Sequence, residues 1–148
     1  IESLKLTVVK RSSNPKNLKN VDIYLVDTYG ETKKFYQTSN IVFMGKSLTR
    51  KGGQNPLEPT RFGATVLHGP NIDNFTDTYK LLDRLKISHK INGVNSLFSM
   101  INKLMIQPNN HKNYLKIEKI GKKILNETKD EINNLLNNEI KKTKILGL

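Results

Sequence analysis

The chain has no cysteine, and only 13 acidic residues stand against 25 lysines and arginines in 148 positions. Without thiols there can be no disulfide, no thiolate metal site and no cysteine nucleophile, a composition that fits a reducing compartment. No apolar run approaches the roughly 20 residues that a membrane-spanning helix needs. No signal peptide is visible, and the chain begins on Ile1 at what reads as a strand, Leu4 to Val9, so a fragment of a longer protein is expected. The three histidines, His68, His89 and His111, lie too far apart for an HxxxH pattern, so no metal site and no cofactor are expected. No Ser-His-Asp arrangement and no close carboxylate pair suggests acid and base chemistry, so no catalytic residue is assigned to this chain.

What is present is a 36% hydrophobic fraction over a length that suits one domain. Residues 1–20 read as a strand and loop leading in, and residues 109–148 as a C-terminal helical tail. The formal net charge of +12 draws the chain to polyanions: nucleic acid, an anionic membrane surface or a phosphorylated substrate. Part of that surplus is discounted, because abundant Lys, Asn and Ile also reflect AT-rich coding. The lysines from Lys116 to Lys144 are read mainly as a solvated helix face, with too few aromatics for base stacking.

Along the chain, β-rich runs alternate with helical spacing. Val21 to Asp27 is a strand, Thr28-Tyr29-Gly30 a turn and Glu31 to Ser39 a short helix. Ile41 to Gly45 gives a second strand, a polar loop follows, and a helix from Pro56 to about Phe62 stops at Gly63. Thr65 to Gly69 is a third strand. Asp73 or Asn74 is expected to cap a helix to about Leu85, Ile87 to Ile91 is a weak strand, and Ser96 to Ile106 and the tail from Tyr114 are amphipathic helices. Such alternation implies an α/β class: a Rossmann-like parallel sheet with helices on both faces, ending in amphipathic helices. Ligands bind at the carboxyl ends of strands in such sheets, which would gather Asp27 to Glu31, Gly45 to Asn55 and Gly69 to Asn74 on one edge.

The stretch from Gly45 to Pro59, GKSLTRKGGQNPLEP, is the main candidate for function. Gly45-Lys46-Ser47 resembles the end of a P-loop, but the required earlier glycine is Asn40, so the Walker reading fails. Glycines, a hydroxyl and the cations Lys46, Arg50 and Lys51 beside a helix start still suit a phosphate or carboxylate. The alternative is a basic surface loop whose glycines serve turn geometry. Asn55 is the expected N-cap, Pro56 suits the first turn, and Glu58 either complements the dipole or accepts hydrogen bonds from ligand hydroxyls. The turn Thr28 to Glu31 reads first as an acidic helix start and second as a source of amides for a ligand.

These residues carry a family resemblance. VDIYLVDTYGETKKFYQTSNIVFMGKSLTRKGGQNPLEP, followed by GPNIDNF, resembles the C-terminal part of 3-deoxy-D-manno-octulosonic acid (Kdo) transferases. The likeness rests on a strand ending in DT-x-GE, then FxGxSL, then GGxNPLEP, then GP with a downstream NF. It covers Leu6 to the end, and beyond Leu85 it holds in pattern only. The resemblance implies the C-terminal half of a GT-B glycosyltransferase that moves Kdo from CMP-Kdo to a lipid A precursor in lipopolysaccharide biosynthesis. The general base and membrane anchor would lie in a missing N-terminal domain, with the whole enzyme at the cytoplasmic face of a Gram-negative inner membrane. The basic surplus then suits an anionic membrane surface and a diphosphorylated lipid, and nucleic acid becomes an unlikely partner.

By the same resemblance, Thr28, Tyr29, Gly30 and Glu31 would meet the cytidine and phosphate region. Gly45, Lys46, Ser47, Gly52, Gly53, Gln54 and Asn55 would cradle donor phosphate and sugar, Glu58 would hold ribose hydroxyls, and Asn74 would shape the same edge. Lys46 stands where many relatives carry Gly, and Gln54 where they commonly carry His, so no proton transfer is assigned to Gln54. The competing readings are a non-catalytic basic nucleic-acid-binding module and a GT-B enzyme using another nucleotide sugar.

Overall fold

Short runs carrying β-branched residues form the first four strands, and Ser88–Lys90 the fifth. In the computed structural model, residues 4–49, 52–106 and 113–145 are described, with side chains of the last segment over 114–140. Arg50, Lys51 and His111 lie outside the described residues. The chain divides into two compact units, Ile1–Phe35 and Tyr36–Leu148.

In the first unit, β1 (Val8–Lys10) pairs in parallel with β2 (Ile23–Leu25), Val8 opposite Ile23 and Lys10 opposite Leu25. Parallel pairing brings the carboxyl ends of both strands to the same end. A 3-10 turn at Arg11–Ser13 leaves β1 there and the Asp27–Glu31 turn leaves β2 there. Tyr24 and Phe35 pack as a tilted ring pair with centroids 6.1 Å apart. Helix α1 (Thr32–Thr38) follows.

The second unit is built on β3 (Ile41–Met44), β4 (Thr65–His68) and β5 (Ser88–Lys90), paired in parallel in that order. Met44, Val66 and the wholly buried Tyr79 form a core cluster with Val42, Ile72 and Phe75 packed against it. Helix α2 (Lys46–Thr49) begins one residue after β3, and α3 (Leu57–Arg61), α4 (Thr76–Arg84), α5 (Val94–Ile106) and α6 (Asn113–Ile145) follow. At 33 residues α6 is about 50 Å long. Its apolar residues Ile117, Ile120, Ile124 and Leu125 line a cavity of about 670 Å³ with Leu57 of α3 and Leu81, Leu82 and Leu85 beside them. Among the described residues no helix is long and apolar enough to cross a membrane.

The α/β class, the parallel pairing and the helical tail match the expectation, with three differences. The hydrogen-bonded strands form two sheets, so the Thr28–Glu31 turn belongs to the first and the other two turns to the second. The polar loop is interrupted by α2, because the Leu48 amide reaches the Gly45 carbonyl at 3.3 Å as β3 ends. Neither Asp73 nor Asn74 caps α4 through its side chain; Asp73–Phe75 is a 3-10 turn, and the Asn74 amide is turned to the Gly52 carbonyl at 3.2 Å.

Candidate functional site

Because β3 and β4 run parallel with Met44 opposite His68, Gly45–Ser47 and Gly69–Asn74 leave the sheet at the same end. Ser47 joins them. Its wholly buried hydroxyl donates to the Met44 carbonyl and accepts the Gly69 amide at 2.6 Å, while its own carbonyl accepts the Asn71 amide at 2.9 Å. The backbones are so close that a Cβ on Gly69 would stand 2.4 Å from the Ser47 carbonyl oxygen. That contact admits glycine alone at position 69.

The glycine pair is braced against the same segment. Gly52 and Gly53 have φ of 109° and 63°, the left-handed region that side chains avoid. A Cβ on Gly53 would meet Ile72 Cα at 3.0 Å, and one on Gly52 would meet Asn74 Nδ2 at 3.2 Å and Lys46 Nζ at 3.7 Å. The Gln54 carbonyl accepts the Tyr79 hydroxyl at 3.0 Å. Burial, with the Asp83 carboxylate adding to it, pushes that phenol up to about 12. The Tyr79 ring packs on His68, centroids 4.3 Å apart. His68 Nδ1 lies 2.8 Å from the Gly69 carbonyl, and Nε2 lies 3.5 Å from Asp83. His68 is thus a buried structural residue; His89 is half-buried, and burial lowers its pKa.

Asn55 Oδ1 accepts the Leu57 amide at 3.0 Å, the bond expected of a cap, although α3 begins at Leu57 and Pro56, not Asn55, stands at its N-cap position. The helix stops as expected. Gly63, at φ 90°, donates to Thr60 and the Ala64 amide to Pro59, a Schellman closure. Glu58 is exposed in the first turn, and its charge reaches Tyr36, whose phenol is raised by burial and then by Glu58. With α2 four residues long and α3 five, few peptide dipoles are aligned, so the capacity for anions rests on the loop's own groups.

In the first unit the turn is held differently. Arg11 grips Glu31 with Nε to Oε2 and Nη2 to Oε1, both 3.0 Å, and Thr28 Oγ1 donates to Oε2 at 2.7 Å. The Arg11 and Thr28 hydrogen bonds, helped by Lys34, hold the Glu31 carboxyl down at about 2. Ser12 does the same for Asp27, with the hydroxyl at 2.6 Å and the amide at 2.9 Å, lowering its pKa. Tyr29 is fully exposed and the space around Gly30, at φ 81°, is open.

Of the expected site residues, Gly45, Lys46, Gln54, Glu58 and Asn74 are exposed, Asn55 and Gly52 half-buried, and Ser47 and Gly53 buried. The second unit therefore brings together the loops after β3 and β4, with the helix start at Glu58. Sequence reading missed Arg11 and Tyr79. Arg11 was detectable only from the parallel register of β1 with β2, and Tyr79 only from its place on α4, since neither belongs to the quoted motifs. None of the expected site residues lines the α3–α4–α6 cavity.

No protein-family model matches the chain. Curated relatives do. The chain is similar to the 3-deoxy-D-manno-octulosonic acid transferase of Rickettsia bellii, 33% identical over 129 residues, covering 82% of this chain and 30% of the relative. A transferase of the same description from Haemophilus influenzae is 37% identical over 78 residues, covering 53% and 18%. The chain belongs to the Kdo transferase family. It spans less than a third of the length of these relatives. The fold of this Kdo transferase family member also matches the crystal structure of the C-terminal CMP-Kdo binding domain of WaaA from Acinetobacter baumannii, with a TM-score of 0.70. Identity there is 22%, covering 78% of this chain and 60% of that one. The GT-B-type fold expected from the resemblance therefore stands.

Proposed function

We propose that this chain is the donor-binding wall of an enzyme that transfers Kdo from CMP-Kdo to a lipid A precursor at the cytoplasmic face of a bacterial inner membrane. One observation carries the reading: the loops after β3 and β4 are locked together through Ser47, Gly69, Gly52 and Gly53, leaving exposed polar groups on a rigid edge. Family membership and the fold support it.

In this reading Gly45, Lys46, Gly52, Gln54 and Asn55 face donor phosphate and sugar, with Asn74 beside them, and Glu58 accepts ribose hydroxyls. Ser47 and Gly53 act by position, since both are buried. The turn Thr28, Tyr29, Gly30 and Glu31 meets the cytidine and phosphate region. The Glu31 carboxylate is already occupied by Arg11 and Thr28, so that turn contributes amides and the exposed Tyr29 ring.

The reaction is a displacement at the anomeric carbon of Kdo. The bond to the CMP phosphate oxygen breaks with its electron pair leaving on phosphate, an acceptor hydroxyl oxygen forms the new bond, and its proton passes to a carboxylate outside this chain. Loop amides and cations would stabilise charge as it develops on phosphate, and a braced loop does so with little reorganisation. No catalytic residue, metal or cofactor is assigned here, and the isolated chain is expected not to turn over. The net charge of +12 suits a diphosphorylated lipid at an anionic surface.

Calorimetric titration with CMP and UMP, beside gel shifts with short DNA and RNA at two salt concentrations, tests the proposal. It predicts preference for CMP. Tight, base-independent and steeply salt-dependent nucleic-acid binding without CMP binding would favour a basic nucleic-acid module, and preference for UMP a different nucleotide sugar.

A further inference from the structure

Lys46 Nζ and Asn74 Nδ2 flank the same space above Gly52, the space that a side chain at position 52 would fill. Both residues are exposed, yet they belong to opposite loops, and the Asn74 backbone is tied to the Gly52 carbonyl. Lys46 has no carboxylate within ion-pair distance among the described residues, a property it shares with several other exposed lysines such as Lys33 and Lys90; what sets it apart is its place beside Asn74 over Gly52. Two nitrogen donors beside one point over a glycine suit a negatively charged oxygen group.

We propose that Lys46 and Asn74 clamp one oxyanion of the ligand above Gly52, and that Lys46 sets the preference for charged donor over neutral nucleoside. The inference rests on the donor-site reading for the identity of the ligand, not for the clamp itself. A phosphate diester and the carboxylate of a sugar acid share the required chemistry. Either is small enough to meet both nitrogens at hydrogen-bond distance. The lysine supplies charge and reach, and the amide, held by its backbone, supplies direction. Glycine at 52 keeps the seat open.

The test uses the 148-residue chain and its Lys46→Ala, Lys46→Arg and Asn74→Asp variants, titrated with inorganic phosphate, cytidine, CMP and CMP-Kdo. Thermal melting should be unchanged, since both side chains are exposed. Phosphate should shift the Gly52 and Asn74 amides in the wild type and not in Lys46→Ala. Cytidine affinity should be the same in all four proteins. CMP binding should weaken roughly five- to tenfold in Lys46→Ala and further in Asn74→Asp, where a carboxylate repels the anion. Lys46→Arg should restore most of it, and added salt should narrow the difference. Loss seen with CMP assigns the clamp to phosphate; loss confined to CMP-Kdo assigns it to the sugar carboxylate. Equal binding of CMP and CMP-Kdo by all four proteins would overturn the clamp and leave the donor site standing. Phosphate shifts without any nucleotide binding would leave the clamp standing and remove the donor assignment.

Discussion

The two turn systems of this chain are held by different physics. In the second unit Gly45–Ser47 and Gly52–Gly53 are braced against Gly69–Asn74, with a buried serine hydroxyl between them and glycines at 53 and 69 where an added Cβ would press on backbone atoms. In the first unit the Thr28–Glu31 turn is held by a side-chain ion pair, Arg11 to Glu31, with Thr28 as a third partner. The braced segments should resist changes of pH and salt but tolerate almost no change of covalent structure. The ion-paired turn should tolerate substitution at its open glycine better, and it depends on protonation.

The sharpest way to break that contrast is Gly69→Ala. Its Cβ would stand 2.4 Å from the Ser47 carbonyl oxygen and 2.8 Å from Leu48 Cα, backbone atoms that cannot step aside. We expect a loss of roughly 3–5 kcal/mol in denaturant melts, large enough to prevent folding. A stable Gly69→Ala protein would show that the segments are looser than described. Tyr79→Phe is milder. It keeps the ring in the core and removes the hydroxyl that holds the Gln54 carbonyl, so about 0.5–1.5 kcal/mol should be lost, with faster amide exchange at Gly52 to Asn55.

The smallest effect concerns the first unit. Glu31 is held down at about 2 from an ordinary 4.5, so its contribution to stability is complete above about 4.5 and is lost as pH falls through about 2. Carbon-detected titration of the Glu31 carboxyl should show that midpoint, and Arg11→Ala should return it toward 4.5. An unchanged midpoint in Arg11→Ala would mean that the pair does not hold the turn.

Much of the second unit was legible because its signals are local. The apolar runs at Ile41–Met44 and Thr65–His68, the Asn55 capping bond and the Gly63 stop each depend on neighbours within a few residues. The resemblance then pointed to the correct family from a handful of motif residues. What stayed hidden depends on register. Arg11 and Glu31 are 20 residues apart, and Tyr79 meets Gln54 across 25. Such pairs exist only once parallel strands have set which loops leave together. Ser47 illustrates the same point: its motif position suggested a ligand hydroxyl, whereas burial makes that hydroxyl the pin between two strands. Even the division into two sheets follows from hydrogen bonding that alternation of strand and helix does not specify.

The central claim is the proposal that the braced edge after β3 and β4 receives the nucleotide of CMP-Kdo. Amide chemical shifts of the 148-residue chain followed during titration with CMP test it most directly. The account predicts saturable shifts at Gly45, Gly52, Gly53, Asn55 and Asn74, with the far half of α6 unmoved. Saturating CMP that leaves all five amides in place would contradict it.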